Sequence, residues 1–252
     1  MINSFHMSLY HYTKLSNIEK IVRLDKVDLI ATYYQKFAKN DYAWIRTEGK
    51  ILVKELCEEF GYEYDPDYLA HRPYITSFCT SPYSDYMWSV FGDNGEGATL
   101  VINEHKLCEE ASLIENYARI IPCEYIDPKS EKQKKKDVII KIASSDYLYD
   151  CPDDDRLMFA VMGVMQNRFY EEQEIRYVQI EKLLSTVHYK DGMVQVEKYN
   201  VPSDKWSKHV HFPKNILEGI ILGRNVDQND YDFFKNYIFE CGYDPNIVSK
   251  AK

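Results

Sequence analysis

Glycine and proline are scarce, 10 and 9 of 252 residues, and no stretch is built from them. That excludes collagen-like, linker-like and low-complexity chains. The six cysteines, Cys57, Cys79, Cys108, Cys123, Cys151 and Cys241, form no C-x-x-C pair. A zinc ribbon or thioredoxin-like site is therefore not expected. Six thiols in this length also fall far short of a disulfide scaffold, so reduced cysteines in a cytoplasmic protein are expected. No apolar run approaches the ~18 residues of a membrane span. The segment Met1 to Tyr10 lacks the basic start and apolar stretch of a signal peptide. Four motifs are missing as well: G-x-G-x-x-G, the phosphate-binding P-loop, the G-x-S-x-G elbow and H-E-x-x-H.

What is present is a chain able to build a core. Hydrophobic residues make up 45% and aromatics 14%, with 22 tyrosines supplying most of the latter. A tyrosine has an apolar ring and a polar tip, which suits half-buried clefts and strand faces. Lys and Arg total 31 against 40 Asp and Glu, a net charge of −9. Such a surface repels nucleic acid at long range, because binding there depends on displacing phosphate counterions. The length suits one domain of about 250 residues.

Hydrophobic periodicity predicts mixed elements. Leu9-Tyr10-His11-Tyr12-Thr13 reads as a strand. Ser16-Asn17-Ile18-Glu19 reads as a capping box opening a helix with Ile18, Ile21, Val22 and Leu24 inward. Tyr34 to Gly61 reads as one or two helices, with Ile51, Leu52, Leu56 and Phe60 on the apolar face and Gly61 as the stop. Further strands are predicted at 74–79, 98–102, 119–126, 174–180, 210–212 and 219–222. Ser84 can cap a short helix carrying Met87, Trp88 and Phe91, and longer helices are predicted at 132–147, 154–168 and 227–241. Asp191-Gly192 between two alternating runs signals a hairpin, and Asp93 to Gly97 is a strong turn signal. The order lacks a regular βαβ beat, which favours an α+β fold in a single domain with a helical insertion at about 32–72.

Three clusters bear on chemistry. Asp153-Asp154-Asp155 reads as a helix N-terminus, where carboxylates offset the helix dipole, with divalent-cation binding as the alternative. His209 and His211 share one face of a strand and make at most an incomplete metal site. The basic run from Lys132 to Lys136 reads as the solvated face of a helix start. More informative is Glu172-Gln173-Glu174-Ile175-Arg176. If the strand begins by Glu172, then Glu172, Glu174 and Arg176 point to one face. Two such close carboxylates raise each other's proton affinity unless a cation such as Arg176 intervenes. A solvated Glu–Arg pair on an exposed strand fits the same spacing.

The order of these motifs resembles an uncharacterised bacterial family, a large domain of unknown function. That family opens with Tyr-His-Tyr-Thr, matched by Tyr10 to Thr13. Its middle motif pairs a strand with Met-Trp and a later glycine, matched by Tyr74 to Cys79, Met87-Trp88 and Gly97. Its third motif is a Glu-x-Glu-x-Arg strand, matched by Glu172, Glu174 and Arg176, and Ile220 to Gly223 before a helix matches its end. The layout is similar to that of ADP-ribosyltransferases, which hold NAD in the cleft of a split β-sheet core. The resemblance implies Glu174 as the catalytic carboxylate and Glu172 as the residue that orients the acceptor. It implies His11 on the ribose hydroxyls, with Tyr12 and Thr13 beside it. Ser77 falls on the Ser-containing strand of such enzymes, and Trp88 would stack on nicotinamide or adenine. Arg176 completes the NAD-binding set, no metal is implied, and Lys14, Arg119 and Arg224 are candidates for the pyrophosphate. The acceptor would be a protein or nucleic acid, and the setting a toxin or phage-defence effector. Attack by water instead would make an NAD glycohydrolase. Two other expectations stand beside this one. A non-catalytic nucleotide- or protein-binding domain would not need Glu174. A metal-dependent hydrolase would use Asp153 to Asp155 with histidines.

Overall fold

The computed structural model describes residues 7–33, 48–62, 72–113, 118–149, 151, 153–181, 186–190, 193–197 and 207–251. Mixed helices and a large, mostly antiparallel sheet make up the architecture. Along that sheet the strands run β11 (Ser207–Pro213), β2 (Lys26–Tyr33), β3 (Arg72–Cys79), β1 (Ser8–Thr13), β4 (Ala98–Asn103), β12 (Leu217–Leu222) and β13 (Val248–Lys250). Off this path β3 also pairs with β8 (Glu174–Glu181), and β8 with β5 (Ala118–Pro122).

Burial explains the strands. In β2, Val27, Leu29, Ala31 and Tyr33 are buried, the period-2 pattern of a sheet with one covered face. In β4 nearly every residue is buried, as expected of a central strand covered on both sides. Helices α2 (Lys50–Phe60), α5 (Lys132–Ala143) and α6 (Asp153–Val161) pack on one another, while α4 (Glu104–Leu113) lies on β5. One hydrophobic cluster joins the sheet to these helices and to α7 (Gln228–Glu240), through residues such as Leu29, Leu56, Ile142, Phe159 and Ile238. A smaller cluster of Tyr12, Cys79, Met87 and Trp88 fixes α3 (Asp85–Val90) against β1 and β3.

The sheet forks at β3. One edge of β3 pairs with β8 along its whole length, from Arg72 opposite Glu181 to Cys79 opposite Glu174. The other edge pairs with β2 at Tyr74 and Ile75, and with β1 at Cys79. Thr76 to Phe78 lie between, where β1 and β2 have parted.

Several expectations are corrected. The capping box does not form. Residues Leu15–Asn17 make a 3-10 turn with no side-chain cap, and Asn17 Nδ2 instead donates to Thr13 Oγ1 at 3.0 Å. Helix α1 (Ile18–Ile21) is short; Ile18, Ile21 and Val22 are buried as expected, but Leu24 is exposed. The predicted insertion begins later than 32, because Thr32 and Tyr33 still belong to β2. Within it, α2 ends at Gly61, whose φ of 72° supplies the left-handed stop. Ile51 and Phe60 lie on its exposed side. The segment 34–47 lies outside the described residues. The single strand expected at 119–126 is two, β5 and β6 (Glu124–Ile126), and α6 ends before β7 (Val164–Gln166) rather than running to 168. The hairpin of β9 (Thr186–Lys190) and β10 (Met193–Glu197) is present, with Met193 opposite Lys190.

The turn at Asp93 to Gly97 binds β1 to the loop after β12. Asn94 and Gly95 both have positive φ, 55° and 84°. A Cβ on Gly223 would lie 2.1 Å from Gly95 O, so the two backbones meet where only glycine fits.

Candidate functional site

The site is centred where β3 and β8 pair beside the fork. Glu174 is the first residue of β8 and lies opposite Cys79; Arg176 lies opposite Ser77. Strand alternation sends Glu174 and Arg176 to the same face. Both side chains are buried, Arg176 at 1% exposure and Glu174 at 4%. Arg176 Nε donates to Glu174 Oε1 at 2.9 Å and Nη2 to Oε2 at 3.2 Å. Its Nη1 donates to Met162 O. Ser77 Oγ donates to Glu174 Oε1 as well. The exposed Ser77 hydroxyl is thus the route by which this carboxylate meets the fork. The Glu174 amide donates to Tyr125 Oη at 2.7 Å, which ties β8 to β6.

Glu172 is not on the strand. It ends the 3-10 helix Asn167–Glu172, and Gln173 then turns the chain with φ of 40°. The expected face shared by Glu172, Glu174 and Arg176 therefore reduces to Glu174 and Arg176. The cause is local: a left-handed residue between the two glutamates breaks the period-2 alternation. The carboxylates still feel each other. Burial pushes the Glu172 carboxyl up to about 7, the Glu174 charge adds to this, and Arg176 opposes it. Near neutral pH Glu172 therefore populates both its acid and base forms.

A cleft of about 390 Å³ opens beside this pair. It runs from Cys79 and Met87 past Tyr86 to Glu172 and Gln173, with Tyr83, Asp85, Tyr170 and Glu171 along it. Tyr170 meets Tyr125 edge to face at 5.4 Å, so the cleft wall and the residue under Glu174 are in contact. Cys79 is closed to chemistry: its thiol donates to Tyr10 O and Ser81 O, and burial pushes it up to about 12.

The β1 residues divide. His11 Nδ1 donates to Ser77 O at 3.0 Å across the fork, and its ring lies 5.7 Å from that of Phe78. A carbonyl only accepts, so Nδ1 carries the proton and Nε2 remains an acceptor while the ring is neutral. Desolvation lowers the His11 pKa, and the bond to Ser77 O partly offsets this. Register places Tyr10, not His11, on the Glu174 face. His11 and Glu174 are joined through Ser77, whose carbonyl meets one and whose hydroxyl meets the other.

Tyr12, Thr13 and Trp88 are framework. Tyr12 is buried, donates to Ser81 O at 3.1 Å and meets Trp88 edge to face at 5.0 Å. Trp88 is buried too, with Nε1 donating to Pro82 O at 2.9 Å. Thr13 is buried and receives the Asn17 amide. Tyr12 and Trp88 thereby hold the loop from Ser81 to Ser84 that borders the cleft.

Among the cations named for the pyrophosphate, Lys14 lies 3.8 Å from Asp93 and Arg224 lies 3.9 Å from Asp85. Arg119 donates to Ala118 O and sits over the Phe159 ring. It pairs with Val178, four residues and about 13 Å along β8 from Glu174. The run from Lys132 to Lys136 is solvated only at Lys132, Gln133 and Lys134, while Lys135 and Lys136 are buried. Lys135 bonds Glu48 at 2.7 Å, and Lys136 lies 3.1 Å from Glu55 and also bonds Glu59, so the run docks α5 onto the α2 region. Asp153 opens α6 as expected. His209 and His211 lie on β11, both against Asp28 Oδ1, at 2.8 and 3.3 Å. Among the described residues no group of three or more His, Cys, Asp or Glu is arranged to hold a metal ion. No described helix is long and apolar enough to cross a membrane.

The sequence assigns no role to Tyr125, Tyr86 or Gln173. Their places follow from register and a backbone turn, neither of which has a motif. No protein-family model matches the chain, and neither a curated protein nor a solved structure matches it.

Proposed function

We propose that this protein is an NAD-dependent ADP-ribosyltransferase that breaks the nicotinamide–ribose bond and passes ADP-ribose to a macromolecule. The observation that carries the reading is Glu174, a buried carboxylate fixed by Arg176 and Ser77 at the edge of a forked sheet. When the glycosidic bond breaks, its electron pair leaves with nicotinamide and positive charge develops at the ribose carbon. A fixed carboxylate in a water-poor site stabilises that charge without reorganising. Glycosidases use carboxylates around a similar cation. The Ser77 and Arg176 bonds hold Glu174 in one orientation, and the neutral His11 presents Nε2 to a sugar hydroxyl at the fork. Glu172, with its carboxyl pushed up to about 7, takes the proton that the acceptor gives up as its nucleophile bonds to the ribose carbon. The diphosphate is anionic and needs a cation; Lys14 and Arg224 are the candidates, at the cost of their loose contacts with Asp93 and Asp85.

The test is nicotinamide release from NAD by the purified protein, with and without cell lysate. Release that rises with lysate is expected, and Glu174→Gln should lower it by roughly 10²–10³-fold. Equal release with and without lysate would reassign the acceptor to water. Absence of release in both conditions, with no thermal shift on adding NAD, would overturn the reading.

A further inference from the structure

Away from the fork, β11 and β2 carry a second polar cluster at one end of the sheet. Val210 and Phe212 of β11 are buried, so strand alternation turns His209 and His211 together to the opposite face. Register sets His211 opposite Asp28 of β2 and His209 opposite Ile30. Both rings bring Nδ1 to the same atom, Asp28 Oδ1, at 2.8 Å from His209 and 3.3 Å from His211. The imidazoles are open to solvent, at 63% and 52%, whereas the carboxylate they share is only 12% exposed. The rings lie stacked, with 6.3 Å between centroids and 25° between planes. Lys208 does not crowd them, because its Nζ lies 5.3 Å over the Tyr74 ring on the other face of the strand.

A carboxylate only accepts hydrogen bonds, so each neutral ring carries its proton on Nδ1 and keeps its lone pair on Nε2. Metal-binding histidines have this arrangement: one ring nitrogen donates to a carboxylate, and the other meets the ion. We propose that His209 and His211 bind one divalent transition-metal ion through their Nε2 atoms, with Asp28 orienting both rings. Imidazole suits Zn²⁺, Ni²⁺ and Cu²⁺, whereas Mg²⁺ and Ca²⁺ take oxygen ligands. A zinc–nitrogen bond is about 2.0–2.1 Å, so the two Nε2 atoms close to within about 4 Å of each other as the exposed rings rotate. Among the described residues no group of three or more His, Cys, Asp or Glu is arranged to hold an ion. The protein therefore supplies two ligands, and water completes the shell. The Asp28 charge and the chain's net charge of −9 both favour a cation here. This site stands apart from Glu174 and does not depend on the transferase reading.

The experiment is calorimetric titration of Zn²⁺, and separately of Ni²⁺, into the untagged full chain at about pH 7. One saturable site with a Kd below about 100 μM is expected. Asp28→Asn keeps an acceptor of the same shape without its charge and should weaken binding by roughly 10-fold or more. His209→Ala and His211→Ala each remove a ligand and should cost more than Asp28→Asn, and the double variant should abolish the site. His105→Ala removes an exposed histidine that pairs with Glu109 on α4, and should leave binding unchanged. Lowering the pH to about 5 protonates the imidazoles and should release the ion. Both histidines are exposed, so their removal leaves the core intact, and circular dichroism checks each variant. No saturable binding, binding that survives the double variant, or equal binding by wild type and Asp28→Asn would overturn the site.

Discussion

Arg176→Met tests the physical basis of the site. Arg176 is 1% exposed and donates hydrogen bonds to both Glu174 carboxylate oxygens and to Met162 O. Removing it strands the Glu174 carboxylate in a buried place and leaves the Met162 carbonyl short of a donor. Breaking a buried pair from one side costs about 3–5 kcal/mol, because the remaining charge is uncompensated. Replacing both partners is different: Glu174→Leu with Arg176→Met removes both desolvated charges together. That double variant should lie within about 1–2 kcal/mol of the wild type, well above the single one. Urea unfolding at pH 7, followed by circular dichroism, measures all three. A domain of this kind has about 5–15 kcal/mol in hand, so the single variant should stay folded at 25 °C without denaturant. A loss below about 1 kcal/mol in Arg176→Met, or a double variant no better than the single, would refute the buried, mutually dependent pair.

Further expectations concern pH, backbone approach and helix docking. Glu172 titrates from 4.5 in the unfolded chain to about 7 in the fold, so the folded state holds the extra proton. Stability should therefore fall as pH rises from about 4.5 to 7 and level off above, by on the order of 1–2 kcal/mol after solvent screening. Glu172→Gln should flatten that slope and raise the urea midpoint at pH 8; an unchanged slope would remove Glu172 as its source. Gly223→Ala should cost at least ~3 kcal/mol, because its Cβ would meet Gly95 O at 2.1 Å. A melting temperature within 2 °C of wild type, on the order of 0.5 kcal/mol, would mean the turn can yield. Lys136→Ala leaves Glu55 and Glu59 facing each other without their shared cation and uncovers part of the α2–α5 contact. A lower urea midpoint is expected, limited by Lys132, which stays beside Glu55, and an unchanged midpoint would make that contact incidental.

The elements legible in the sequence are those with a local signal. The β9–β10 hairpin follows from Asp191-Gly192, α7 from the Asp227 cap whose side chain accepts from Asp230 N, and β8 from its apolar alternation. Glu174 and Arg176 could be paired from spacing alone, since residues two apart on a strand share a face. What the sequence hid depended on distant register or on one dihedral. Strand β2 does alternate, but no turn signal sets it off from the short helix before it, and only its last residues, Thr32 and Tyr33, fall in the expected insertion. Spacing puts Glu172 on the Glu174 face only if the strand begins by Glu172, and nothing in its side chain or in Gln173 marks the φ of 40° that prevents this. The lysine run looks solvated because its partners Glu48, Glu55 and Glu59 stand more than 70 residues earlier. Ser77 matters because it is opposite Arg176 and at the fork, and both facts belong to the assembled sheet.

The most direct test of the central claim follows label rather than stability. NAD carrying a label on its ADP-ribose half is incubated with lysate and either the wild-type protein or Glu174→Gln, each checked for folding by circular dichroism. Label covalently attached to macromolecules by the wild type, and reduced at least roughly 10²-fold by Glu174→Gln, is the expected result. Undiminished attachment by Glu174→Gln, or none by the wild type, would contradict the assignment of Glu174 as the carboxylate of an ADP-ribosyltransferase.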